Sequence, residues 1–571
     1  MFKEFFLLDL SGMRFYTLVA FVLSGILLVA CNQRSAYTND PETIAKGRKL
    51  FEMQCASCHN FRQTGIGPAL GGITTVVSDE WLQRFIRNPA RMISGGDNRA
   101  VAAFEKFNTY MPSFETLSDA DLKAILAYMH TYPDKPNSTA AAGLQPLDDP
   151  IPQKIPESGI ILILKEVLTA PPTAKNPPVA RINKMIPESG RQFISDLNGI
   201  LYEIKDQQWI PFLKMEDYFE HFIAQPGLAT GLGSFAFHPE YDQNGIFYTS
   251  HTEDPKTSAP ADFSYTDTIP RTVRWVLDEW KHDDPTSSVF SGTHGELMRI
   301  DMVSQIHGMQ EIAFNPHANP GDQDYGLMYI GIGDGGAVEN GYAFLVQNQQ
   351  QPWGTILRID PAGNNSMNGH YGIPSSNPDK SEVYALGFRN PHRIFWDADG
   401  RMLASDIGHT NIEELNIIEK GRNYGWPERE GTFRLFKNES MDKVYSLETD
   451  DAGFGFTYPV IQVDHDEIAA ISSGYIYYGK QIPEIEGYYL FGGIINGRVF
   501  LSDASDFKQG KQSAVSEVQL QFDDGNISSF RERLGKARVD LRFGMDAAGE
   551  LYILTKADGK VYQITGIKKS I

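Results

Sequence analysis

The stretch Cys55-Ala56-Ser57-Cys58-His59 carries the most sharply defined chemistry in this sequence. Two thiols at that spacing can add to the two vinyl groups of one porphyrin, and the adjacent histidine is placed to bind the iron. A zinc site would need a second pair of Cys or His ligands, and a thioredoxin-like motif a surrounding βαβ pattern. The sequence offers neither, so the motif reads as one covalent c-type haem held by Cys55 and Cys58, with His59 as an iron ligand. The second axial ligand is expected at Met111, preferred over Met92, Met129 and His130. In Tyr110-Met111-Pro112-Ser113-Phe114 the proline fixes a loop that can present a thioether, and a Met/His pair raises the haem potential.

Helices must position that haem. From Pro41 the apolar residues Ile44, Leu50 and Phe51 recur at helical spacing. Ser78-Asp79-Glu80-Trp81 reads as an N-cap with acidic first-turn residues, opening a helix that ends near Asn88-Pro89. Ser118-Asp119-Ala120-Asp121 opens a last helix with Leu122, Ile125, Leu126 and Met129 on one face. The order of haem motif, Gly67-Pro68-Ala69-Leu70, Met111-Pro112 and final helix resembles class I cytochrome c over residues 42–132.

At 571 residues the chain is long enough for two to four domains. Its net charge of −21 argues against nucleic-acid binding, which needs a basic face. Arg14 precedes an apolar run from Phe15 to Ala30, a secretory h-region. Leu28-Val29-Ala30-Cys31 resembles a bacterial lipoprotein box. The expectation is a signal peptide over 1–30, lipidation of Cys31, a polar tether over 31–41, and a periplasmic or cell-surface protein anchored to a membrane. With Cys31, Cys55 and Cys58 all assigned, none of the three cysteines is left for a disulfide.

Residues 133–159 are rich in Pro, Ala, Asp and Ser and read as a linker. Beyond them the period changes to short aromatic-aliphatic strands beside Gly turns, such as Ile160–Leu164, Gly199–Ile204, Ile246–Ser250, Gly474–Tyr478 and Leu551–Leu554. They fall into six clusters, near 160–204, 232–300, 310–360, 383–420, 459–503 and 536–566. The fold class is therefore multidomain: a small all-α unit followed by an all-β six-bladed propeller over 160–571.

Five motifs carry a closer resemblance. They are Gly233-Ser234-Phe235-Ala236-Phe237-His238-Pro239; His307-Gly308-Met309-Gln310-Glu311-Ile312-Ala313-Phe314 followed by Gly333-Asp334-Gly335-Gly336; Gly354-Thr355-Ile356-Leu357-Arg358; Gly387-Phe388-Arg389-Asn390-Pro391; and Glu413-Glu414-Leu415-Asn416 with Asn423-Tyr424-Gly425-Trp426-Pro427. In this order they are similar to the glucose/sorbosone dehydrogenases, six-bladed propellers that bind pyrroloquinoline quinone (PQQ) and calcium. The glycines of 331–336 have the wrong spacing for a dinucleotide fingerprint.

The resemblance implies roles. His307 would be the base for the sugar hydroxyl, Arg389 would sit beside the quinone oxygens with Asn390 next to it, and Arg538 and Arg542 would grip cofactor carboxylates. The carbonyls of Gly408 and His409 would hold a catalytic calcium, and Glu414 with the Tyr424 region a structural one. Two positions depart from the family pattern: Ile306 stands where a carboxylate commonly precedes the base, and Ile495 where a lysine reaches the cofactor. Arg498 is a candidate replacement for that lysine. The expected function is oxidation of an aldose or related sugar with electrons passed to the chain's own haem and then to a downstream acceptor. The alternative is a non-catalytic carbohydrate- or protein-binding propeller tethered to an electron-transfer cytochrome.

Overall fold

The computed structural model describes residues 37–570 apart from 56–58, 62–66, 108–110, 133–143, 176–177, 226–228, 267, 437–440, 448–454 and 536–537. The signal segment, Cys31 and Cys58 lie outside the described residues.

The first unit is helical: α1 (Pro41–Gln54), α2 (Ile73–Val76), α3 (Asp79–Arg87), α4 (Pro89–Ser94), α5 (Asn98–Phe107) and α6 (Asp119–His130). The caps at Ser78 and Ser118 are those the sequence predicts, and Asp40 adds a third. Asp40 accepts from the Thr43 amide, Ser78 from Trp81 and Ser118 from Asp121, each satisfying a first-turn N–H. α1 crosses α6 at Gly47, where a Cβ would lie 1.9 Å from the Ala124 carbonyl oxygen, so only glycine permits the approach. Phe51, Leu82, Ile86, Leu122, Ile125, Leu126 and Met129 form the core.

The second unit is built from antiparallel groups of four strands. After β1 (Glu157–Thr169) come β2 (Ile182–Glu188), β3 (Arg191–Asp196), β4 (Ile200–Lys205) and β5 (Gln208–Lys214) as the first group. The second is β6 (Leu232–Phe237), β7 (Ile246–Glu253), β8 (Val273–His282) and β9 (Gly292–Met302). The third is β10 (Met309–Phe314), β11 (Met328–Ile332), β12 (Thr355–Ile359) and β13 (Val383–Leu386). The fourth is β14 (Pro391–Trp396), β15 (Met402–Asp406), β16 (Ile412–Ile418) and β17 (Ile461–Asp464). The fifth is β18 (Ile471–Ser472), β19 (Tyr488–Gly493), β20 (Val499–Asp503) and β21 (Ser516–Gln521). In the sixth, β22 (Leu541–Met545), β23 (Leu551–Thr555) and β24 (Lys560–Lys569) are completed by β1.

First strands of successive groups are neighbours: β2 with β6, β6 with β10, β10 with β14, β18 with β22, and β22 with β2, while β15 meets β18. Buried charges tie these strands together across the groups. Glu311 of β10 receives Lys184 Nζ of β2 at 2.5 Å and Arg393 Nη1 of β14 at 2.6 Å.

Three expectations are corrected. The cluster at 160–204 divides, because Ile160–Thr169 pairs antiparallel with Lys560–Lys569 of the last group and parallel with the fifth; hydrophobic alternation shows a strand but not its partner. The linker ends earlier than 159: Pro146–Leu147 pairs with Val444–Tyr445, and the Ile151 amide donates to Asp464. Gly474–Tyr478 is not a regular strand. It makes an isolated bridge from Ile476 to Tyr489 of β19, and at Gly474 the backbone passes so near the Leu490 carbonyl that a Cβ would lie 2.0 Å from it.

Candidate functional site

The starts of the first strands and the ends of the second strands meet at one end of the β domain, because adjacent strands run antiparallel. His307 lies just before β10, Arg389 and Asn390 before β14, Gly408 and His409 after β15, and Arg538 before β22.

His307 is buried and takes a left-handed backbone conformation, φ 55°, uncommon outside glycine. The turn is held by the Gly335 amide donating to the His307 carbonyl. Gly333 cannot carry a side chain here, since its Cβ would meet that carbonyl at 2.3 Å. The same turn brings Asp334 against the imidazole, with His307 Nδ1 2.7 Å from Asp334 Oδ1. Asp334 is itself fixed by the Gly336 amide at 2.8 Å and by Trp426 Nε1 at 3.1 Å. With Nδ1–H donating to the carboxylate, Nε2 keeps its lone pair for a ligand. Burial and then the Arg389 cation hold the His307 pKa below its ordinary 6.5, against the pull of Asp334 and Glu339. The imidazole is neutral at pH 7 and able to take a proton.

Arg389 packs 5.7 Å from the Trp426 ring centroid, donates to the Gly408 carbonyl at 2.5 Å, and pairs with the buried Glu339. Glu339 also faces His409 Nδ1 at 3.1 Å. Burial opposes its ionisation, but Arg389 and then His409 hold its carboxyl well below the usual range. Because the guanidinium occupies the Gly408 carbonyl, the arrangement does not present that oxygen to a calcium ion.

Glu414 is different. It is buried on β16 opposite Asp406, and its Oε2 has no hydrogen-bond partner. Burial pushes both carboxyls upward: for Glu414 the Asp406 charge adds to it, while for Asp406 burial outweighs the amides of Arg389 and Asn390 and the Arg389 cation, with Glu413 adding a smaller push. A dry carboxylate pair with a spare oxygen suits a hard divalent cation. The Tyr424 side chain stacks on Phe388 and donates to the Ile417 carbonyl, so its ring is packing rather than a ligand.

Arg538 pairs with Asp540 at 2.7 Å, and Arg542 donates to Asn183 Oδ1 at 3.2 Å. Arg498 is committed elsewhere, to Glu467 at 2.6 Å and Glu517 at 2.5 Å, and does not replace the missing lysine. Facing this end, Asn390 Oδ1, His392 Nδ1 and His409 Nε2 are buried without partners, the signature of a place where a polar ligand belongs.

In the helical unit His59 Nδ1 donates to the Pro68 carbonyl at 2.9 Å, which leaves Nε2 as the iron-binding nitrogen. Burial lowers its pKa and keeps it neutral. Gly67 lies flat on the ring, where a Cβ would come within 2.3 Å of Cε1. Cys55, Leu70, Trp81 and Met111 are partly buried against the same core. These residues fit a covalent haem.

Asp334 and Glu339 were not picked out from sequence as site residues. The signal for Asp334 was available: a carboxylate enclosed by glycines immediately after a strand, in a motif already matched. Glu339 has no local signal, since only folding brings it to Arg389.

Geometry and motifs together define a class, a cytochrome c unit joined to a mostly-β domain with the fold of PQQ-dependent sugar dehydrogenases. Residues 44–133 match the family model Cytochrome c and residues 184–563 match Glucose / Sorbosone dehydrogenase. The chain belongs to the glucose/sorbosone dehydrogenase family. Among curated relatives it is 28% identical over 306 residues to HIPL2 protein of Arabidopsis thaliana, covering 46% of this chain and 42% of the relative. It is also 28% identical over 216 residues to quinoprotein glucose dehydrogenase B of Acinetobacter calcoaceticus, covering 34% and 40%. The chain thus spans less than half the length of these two relatives. A solved glucose dehydrogenase structure aligns with a TM-score of 0.50 at 16% identity, covering 70% of this chain and 99% of that one, a likeness of fold alone.

Proposed function

We propose that this chain is an exported quinoprotein dehydrogenase that oxidises an aldose or related sugar and passes the electrons to its own haem. The observation that carries the reading is the His307–Asp334 pair set beside Arg389. Neutral His307 accepts the sugar hydroxyl proton at Nε2, and Asp334 steadies the imidazolium through Nδ1. Arg389, pinned by Glu339, keeps a fixed positive charge where oxyanion character develops. PQQ, when bound, supplies the acceptor for the hydride leaving the sugar carbon. Asn390, Arg538 and Arg542 would hold it, with the unpartnered atoms of His392 and His409 nearby.

The contact circuit from β2 through β22 and back to β2 supports closure of the six groups into a six-bladed propeller, with β1 fastening the last group. Calcium would be held at Glu414 and Asp406. The apolar run from Phe15 to Ala30 after Arg14, and Cys31 behind it, support export and anchoring to a membrane through lipid. A tethered haem domain supplies the acceptor at high effective concentration, and a soluble cytochrome or respiratory component would then take the electron onward.

The test is reconstitution of the full chain with PQQ and calcium, followed by aldoses. Uptake of the quinone and sugar-dependent haem reduction support the enzyme. Failure to take up quinone rejects it and favours a binding module.

A further inference from the structure

The resemblance requires a lysine near residue 495 and finds Ile495. The structure offers a different cation across the segment that Ile495 borders. The Val539 amide donates to the Ile495 carbonyl at 3.0 Å, so Ile495 flanks the segment that carries Arg538 and Arg542 on one side. On the other side the Lys556 amide donates to the Asp540 carbonyl at 3.2 Å, and the Ala557 amide to Val539 at 3.3 Å. Residues 495 and 556 therefore border one short stretch of chain, Arg538–Arg542, from opposite edges.

Lys556 directly follows β23 and is 4% exposed. It makes no side-chain hydrogen bond or ion pair among the described residues. Buried ammonium groups are normally paired, since burying an unpaired charge is costly. Its electrostatic neighbours are Arg542, Asp540, Arg181 and Arg538, and its pKa is held well below the ordinary 10.5 by burial first and Arg542 second. The set holds four cations, Arg181, Arg538, Arg542 and Lys556, against the carboxylates of Asp540 and Asp196. His392, with its buried unpartnered Nδ1, is within electrostatic reach of two of them, Arg542 and Lys556. An excess of buried positive charge that includes the Lys556 ammonium, unpaired among the described residues, is built for a polyanion that is not part of the chain.

We infer that Lys556 is a third cationic contact, with Arg538 and Arg542, for the carboxylates of the quinone cofactor, and takes the role that Ile495 leaves without charge. This rests on the quinoprotein reading above. A lysine on the sixth group instead of the fifth holds the same anionic edge from the other side of residues 538–542. Arg498, the candidate from sequence, is neutralised by Glu467 and Glu517 and has no charge to spare.

The experiment uses the full haem-bearing chain and titrates PQQ by calorimetry into the unaltered protein and into Lys556→Met, Lys556→Arg and Lys556→Met with Ile495→Lys. Loss of one charge-assisted contact weakens binding about tenfold or more in Lys556→Met. Lys556→Arg and the Ile495→Lys combination recover most of it. Should the variants fold poorly, an amine-acylating reagent applied to the unaltered protein reads the same contact by mass spectrometry: PQQ, and separately a pyridine tricarboxylate, slow modification of Lys556 about tenfold or more. Quinone binding that Lys556→Met leaves within twofold, or acylation of Lys556 that PQQ leaves unchanged, overturns the inference while sparing the quinoprotein reading. Absence of quinone uptake by the unaltered protein overturns both.

Discussion

His307 and Asp334 face each other across 2.7 Å, one from the turn before β10 and the other from the turn after β11. On the proposed reading the pair offsets Ile306: with His307 as the base, its carboxylate comes through space from the next loop, while His307 itself sits in a left-handed turn.

Replacing Asp334 with Asn therefore removes the group that fixes the tautomer while keeping its shape. Sugar-dependent turnover falls about 100-fold or more. Asp334 pulls the His307 pKa upward, so its loss lowers that pKa further. In the unaltered protein the acid limb of kcat/KM lies below pH 6.5, and in Asp334→Asn it moves to still lower pH. A pH profile measured on both proteins checks the sign.

Arg389 is bound to Glu339 inside the protein, so removing one partner strands the other. Arg389→Met costs about 3–5 kcal/mol in urea unfolding, and adding Glu339→Gln returns part of that loss. Two additive losses would show that the pair is not coupled.

The Asp406 and Glu414 carboxyls are pushed upward by burial, with Asp406 adding to the rise at Glu414 and Glu413 to that at Asp406. Below the ordinary carboxylate range folded and unfolded chains are both protonated. As pH rises toward neutrality the unfolded chain releases protons that the folded one retains, so stability falls. Calcium reverses this by favouring the ionised pair. Differential scanning calorimetry is expected to show that calcium raises Tm at pH 7.5 but not at pH 4.5, and that Glu414→Gln removes the effect.

Met111, like Cys55 and Leu70, is partly buried against the core of the helical unit. In Met111→Ala the haem stays covalently attached by mass, and the potential drops on the order of 0.1 V or more as the thioether ligand is lost. An unchanged potential in a redox titration assigns the sixth ligand elsewhere.

Much of this arrangement was legible in the sequence where the signal is local. The caps at Ser78 and Ser118, the haem motif, the strand alternation and the site turns at His307 and Arg389 all depend on residues close together in the chain. What escaped depends on closure. That Glu157–Thr169 completes the last group, that Glu339 meets Arg389, and that Lys556 faces the edge opposite Ile495 are consequences of long-range pairing, which periodicity does not encode. Arg498 misled for the converse reason: its position along the chain was suggestive, but its charge is spent on Glu467 and Glu517.

The most direct measurement is the haem α-band of the full chain, loaded with PQQ and calcium, after addition of an aldose under anaerobic conditions. The account predicts haem reduction that requires both quinone and sugar and is slowed about 100-fold or more in Asp334→Asn. A fully loaded protein whose haem stays oxidised with every aldose would contradict it.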